Sequence, residues 1–239
     1  ERVAMDKGPG YLTLQQNQIA EALRALVNEM ETDLATAFAA SSSRAYGTAG
    51  TTPFATAADL TDLAQVYKIL DDNGAPKSDR HLVMGTTTAA NLRGKQSGLF
   101  KVNEAGTADL LRMGTIGKLL NFDLHESAQA PTTTAGAMTG ALFNGAGAVG
   151  DTTITFDTGT VNTTGIVAGD VITVTGVTGG AQKYVVATGT TSTSGTFTIG
   201  APGLRAVVAD NSTITVNATS TRNLATVPMV QCRAIYRST

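Results

Sequence analysis

The sequence predicts an α+β host with an all-β domain inserted late in the chain. Three observations carry this reading. Apolar side chains recur every three or four positions from Thr13 to about Ala40. Helical patterns then alternate with short apolar runs up to Met138. From Thr139 to Arg222 the chain turns to Thr, Gly and Val in period two, and the host style returns afterwards. At 239 residues there is enough chain for two modest cores. The expected division is a host over 1–138 containing a helix over 13–40, an inserted domain over 139–222, and a strand within 223–239 that rejoins the host.

The long helix is the strongest local signal. Ile19, Leu23, Leu26, Met30, Leu34 and Phe38 form one stripe. Thr13 supplies an N-cap hydroxyl, the Ala-rich interior has high helix propensity, and Ser41, Ser42 and Ser43 followed by Gly47 end it. A helix of this span is about 40 Å long. It reads either as a strut or as an amphipathic core helix.

A second helix is expected from Thr56 to Leu70, capped by Thr56 or Asp59, with Leu60, Leu63, Tyr67 and Leu70 as its apolar stripe. Asp72, Asn73 and Gly74 turn the chain because Asn and Gly tolerate positive φ. His81 to Met84 reads as a short buried strand, Thr87 to Arg93 as a helix leading into a loop through Gly98, Thr107 to Arg112 as a helical turn or two, and Gly117 to His125 as a strand. Pro131 to Gly136 is linker-like.

Five runs then place β-branched or aromatic residues at alternate positions: 152–156, 171–174, 184–186, 196–199 and 212–216. Short strands at this spacing, divided by Gly-rich turns, predict a small barrel or sandwich. Met229 to Tyr236 is the expected return strand.

Composition narrows the function classes. Seventeen basic against nineteen acidic residues, net charge −2 and a pI near 5.7, give no basic footprint for a duplex-binding domain. The single Cys232 forms no internal disulfide and fits a chain made in a reducing cytosol. No apolar run reaches the roughly 20 residues a membrane-spanning helix needs, and the N-terminus lacks the layout of a signal peptide. The chain starts at Glu1 without an initiator Met, so a missing N-terminal piece is expected.

Several stretches resemble chemistry without its context. Gly145 to Gly150 has dinucleotide-fingerprint spacing, but a β run follows where a helix is required. Asp71 and Asp72 are adjacent carboxylates on a turn, with no His or Glu partner nearby. His81 and His125, one on each of two predicted strands, lack zinc-site spacing and read as structural. No nucleophile elbow or phosphate loop occurs. The Asn-x-Ser/Thr sites at Asn162, Asn211 and Asn217 are chance matches in a Thr-rich segment. No catalytic, cofactor-binding or metal-ligating residue is assigned, and no cofactor and no enzymatic activity are expected.

The long helix, the Leu70-Asp71-Asp72-Asn73-Gly74-Ala75-Pro76 turn leading to Asp79-Arg80-His81-Leu82-Val83-Met84, Gly114-Thr115-Ile116-Gly117-Lys118-Leu119, and Ala168-Gly169-Asp170 running into Val171 to Val177 resemble, in this order, the major capsid (coat) proteins of tailed bacteriophages. The resemblance is to the podovirus type with an inserted β-barrel domain and covers nearly the whole chain. It implies the tailed-phage capsid fold: the helix from Thr13 as spine, peripheral and axial domains from Thr56 to about Met138, and an insertion domain over 139–222. It further implies a virion subunit, assembled in the bacterial host cytoplasm into hexamers and pentamers of an icosahedral shell around phage DNA. Scaffolding and portal proteins would be its partners, DNA would be enclosed without sequence-specific binding, and no membrane is involved. The family's N-terminal arm and extended loop are not present whole. Loops 176–183 and 188–195 are expected to contact neighbouring subunits. A nanocompartment shell protein and an extracellular Ig-like binding module are the alternatives.

Overall fold

A computed structural model describes residues 10–96 and 117–226. Helix α1 (Gly10–Ser41) spans 32 residues, about 48 Å at helical rise. Its end follows from the serine run: Ser41 Oγ donates to the Ala37 carbonyl and Ser42 Oγ to that of Phe38, so hydroxyls bond carbonyls of the last turn.

The host core forms around α2 (Thr61–Asp72), β1 (Arg80–Met84) and α3 (Thr86–Lys95). The Asp59 carboxylate accepts the Thr61 N–H at 2.8 Å, which sets the start of α2 well after Thr56. Asp72 is the last residue of that helix. Gly74 then turns the chain at φ 74°, its N–H donating to the Asp71 carbonyl.

The expected single strand over Gly117–His125 is instead two, β2 (Lys118–Leu119) and β3 (Phe122–Glu126). Leu120 and Asn121 take φ 45° and 66° and fold them into a two-residue hairpin. Without a Gly at either position the turn escapes detection from sequence. β1 and β3 pair in parallel, and β14 (Leu224–Thr226) pairs antiparallel with β1, giving the order β14-β1-β3-β2. Leu82, Met84 and Phe122 on one face bury against Phe54, Leu63, Leu70, Ala75 and Leu92. The other face carries His81, Val83, Asp123 and His125.

The Thr/Gly/Val segment closes into a barrel. Strands β6 (Ala141–Phe143), β7 (Thr153–Asp157), β9 (Val171–Val174), β10 (Gln182–Thr188), β11 (Gly195–Ile199) and β12 (Thr213–Val216) pair antiparallel in the cyclic order β10-β11-β7-β6-β12-β9. Closure removes every free edge within this sheet. Alternation does the sorting: in β7, Ile154 and Phe156 are buried while Thr153 and Thr155 are exposed. Strand β6 was not expected, because Ala141-Leu142-Phe143 is too short and too flanked by Gly to display a period. One ribbon joins barrel to host, β4 (Thr132–Thr133) pairing with β13 (Ser220–Thr221), while β5 (Met138–Thr139) pairs with β8 (Thr160–Val161) against the barrel itself. The linker-like stretch is thus one side of a two-stranded stalk.

The expected helix over 107–112 and return strand over 229–236, with Cys232, lie outside the described residues, as do Gly98 and positions 114–116 of the capsid-like motif.

Candidate interaction surfaces

Among the described residues, helix α1 makes its attachments toward its C-terminal end. Glu31 accepts from Ser127 Oγ at 2.7 Å, Thr32 Oγ1 donates to Gln129 Oε1 at 2.9 Å, and Ala39 is buried where the last turns meet β10 and β14. Upstream, Ile19, Leu23, Leu26, Val27 and Met30 each expose more than half of their surface, and so does Leu34. Of the two readings of this helix, the core helix is overturned over most of its length. Periodicity reports an apolar stripe but not what covers it. Contiguous exposed apolar patches of this kind mark surfaces that other molecules cover in many proteins.

The barrel adds exposed apolar points at its loops: Val149, Val167 and Val207. Loop 176–183 runs into β10 at Gln182, and Val177 makes a bridge with Val208 that fastens its root. Loop 188–195 is fastened as well. Ile166 and Thr190 exchange both backbone hydrogen bonds at 2.8 Å, and a Cβ on Gly165 or Gly189 would drive into the carbonyl of Thr190 or Ile166. These glycines permit a close backbone approach.

The Gly145–Gly150 loop offers no phosphate cradle. The Gly145 N–H donates to Asp210 Oδ1 at 2.8 Å and the Ala148 N–H to Asp151 Oδ2 at 2.7 Å, so carboxylates already occupy the amides an anion would need.

Asp71 and Asp72 are not the free carboxylates of a solvated turn. Asp71 accepts from the fully buried Arg80 at 2.6 Å, and that guanidinium also lies over the Tyr67 ring at 4.4 Å. Asp72 lies 3.4 Å from Arg44 and 3.7 Å from Arg205. Arg205 belongs to the barrel segment and its Nη1 also donates to the Asp72 carbonyl at 2.8 Å, so this position ties barrel to host.

Asp170 has a matching role at the stalk. It accepts the Val167 N–H at 2.7 Å and the Gly136 N–H at 3.1 Å. Burial pushes its carboxyl above the usual carboxylate range, against those two hydrogen bonds and the charge of Arg222. Arg222 is in turn lowered from the ordinary guanidinium value by burial, with Asp170 opposing. In the sequence Asp170 stands out only within the capsid-like stretch from Ala168 to Val177.

His81 and His125, read as separate structural residues, are in contact: His81 Nδ1 lies 3.0 Å from His125 Nε2, and the ring centroids are 5.2 Å apart. His81 Nε2 lies 3.2 Å from Asp79 Oδ1. No local pattern announces this cluster, since β1 and β3 are brought together by a crossover through α3.

No family model and no curated protein matches the chain. Among solved structures, a chain from Mycobacterium phage Che8 is similar over 82% of this chain, with 16% identity and a TM-score of 0.42. The match covers 61% of that phage chain. No helix among the described residues is long and apolar enough to cross a membrane.

Proposed function

We propose that this protein is a structural subunit of a tailed-phage capsid, assembling with copies of itself into an icosahedral shell around the genome. The observation that carries the reading is the apolar face of α1, six large exposed side chains on a helix whose attachments, among the described residues, lie toward its C-terminal end. Water exposure of that face is unfavourable by about 25 cal/mol per Å² of apolar surface, which a neighbouring subunit would relieve. A shell requires extended complementary surfaces of this kind, where an enzyme would concentrate its chemistry in one place. The ordered motifs that resemble podovirus coat proteins supply the rest of the support, and in that family a barrel is inserted as it is here. The near-neutral charge suits a container whose DNA must pass without sticking. Hexamers and pentamers, a scaffolding protein, a portal and location in the virion after assembly in the bacterial cytoplasm belong to the same proposal, as does a role without catalysis.

Negative-stain electron microscopy of the 239-residue chain expressed in bacteria tests it. Closed shells of uniform size are expected. A monodisperse monomer overturns the proposal.

A further inference from the structure

The outward face of the host sheet gathers chemistry that the shell role does not use. Register pairs His81 with Asp123 across the parallel β1 and β3, and Val83 with His125, so both histidines and Asp123 share one face. Asp79, just before β1, adds a carboxylate from the left-handed region at φ 60°. One donor atom from each of Asp79, His81 and Asp123 lies within 4.8 Å of the other two.

We propose that Asp79, His81 and Asp123 bind one divalent transition-metal ion of the zinc class, with His125 orienting the His81 ring. The distances suit such an ion. Ligand atoms around tetrahedral zinc stand roughly 3.3 Å apart, as its bond lengths of about 2.0–2.1 Å require. The 3.2 Å between His81 Nε2 and Asp79 Oδ1 is already one edge of that figure. Closing the other edges takes side-chain rotation at Asp123, whose Oδ2 now lies 3.6 Å from Lys118 Nζ in an exposed and therefore weak ion pair.

The second imidazole supplies what bare ligand spacing lacks. A ligating histidine needs its other ring nitrogen fixed by a partner, and His81 Nδ1 faces His125 Nε2 at 3.0 Å. With the Nδ1–H donating to His125, the Nε2 lone pair of His81 is directed at the ion. The ion then sits between Nε2 and the Asp79 carboxylate. One imidazole with two carboxylates selects borderline ions such as Zn²⁺ over Ca²⁺, which takes six to eight oxygens. Three ligands leave a fourth position open to water. The side chains of Asp79, His81 and Asp123 all keep a solvent-facing portion, so the ion has a path in. The assignment does not rest on the shell reading, because it needs only the folded chain.

Calorimetric titration of Zn²⁺ into the 239-residue chain tests it, on a Cys232→Ser background that removes the lone thiol as a competing ligand. One saturable site per chain is expected, together with a rise in melting temperature that the metal alone produces. Asp123→Asn, which keeps the shape of the side chain, and His81→Gln should each abolish both effects, with circular dichroism reporting the metal-free fold. His125→Gln should weaken binding by about 10- to 100-fold. Lack of a saturable site, affinity unchanged by Asp123→Asn, or Ca²⁺ competing on equal terms with Zn²⁺ would overturn the assignment.

Discussion

The barrel and helix α1 solve opposite problems with equally apolar sequence. The barrel turns its alternating side chains inward and closes on itself, so Phe143, Ile154, Phe156, Ile172, Tyr184, Phe197 and Ile214 lie in one continuous core. Even the Tyr184 hydroxyl is satisfied, accepting the Arg205 N–H at 3.1 Å. Helix α1 has a stripe just as regular and leaves most of it in water. A closed sheet completes itself, whereas a single helix can bury its stripe only against something else. The barrel therefore covers its own apolar face, whereas among the described residues α1 leaves most of its stripe uncovered.

Breaking the barrel core should have the largest effect. Phe156→Ala removes a ring packed against Phe197 at 5.6 Å between centroids, and is expected to destabilise the chain by about 3–5 kcal/mol in urea unfolding. Next comes the host anchor. Asp71→Ala leaves the buried Arg80 without its carboxylate, held by the carbonyls of Ala75 and Pro76 and by the Tyr67 ring, a loss of about 2–3 kcal/mol, since one side of Asp71 faces water. Asp71→Asn, retaining an acceptor, should recover part of it.

Asp170 sharpens the contrast through pH. Its carboxyl is raised in the folded state, so the native protein holds a proton that the unfolded chain has released. Its contribution is fully present below the ordinary carboxylate value and is lost as pH rises through the raised one. Melting temperature measured against pH should fall across that window in the parent relative to Asp170→Asn. Parallel curves would show that Asp170 does not couple protonation to the stalk.

The smallest expected effect on stability is at α1, where the effect on assembly is expected to be largest. Leu26→Ser should change the unfolding free energy of the isolated chain by within about 0.5 kcal/mol, because the side chain is exposed there. The same change should reduce shell yield in electron micrographs. A large loss of monomer stability would mean that α1 is buried within its own chain.

Local patterns settled a good deal. Period two marked five of the six barrel strands, and the three-and-four spacing marked α1 to within a few residues at its start and one at its end. Each is a property of neighbours in sequence, so it is legible without the fold. Exceptions arose where the signal was short or lacked its usual residue: β6 is three residues long, and the Leu120-Asn121 turn has no Gly.

The sequence by itself determined that helices and strands of these kinds would form, that an alternating segment would be set apart from the host, and which side of each element would be apolar. Only the tertiary structure decided that the alternating segment closes into a barrel rather than a sandwich, and that the stripe of α1 stays open. It alone brings His81 to His125, Arg80 to Asp71 and Arg205 to Asp72. The physical reason is that closure, coverage and ligand proximity depend on register between distant strands. That register is set by which whole arrangement buries the most apolar surface, and no local window contains it.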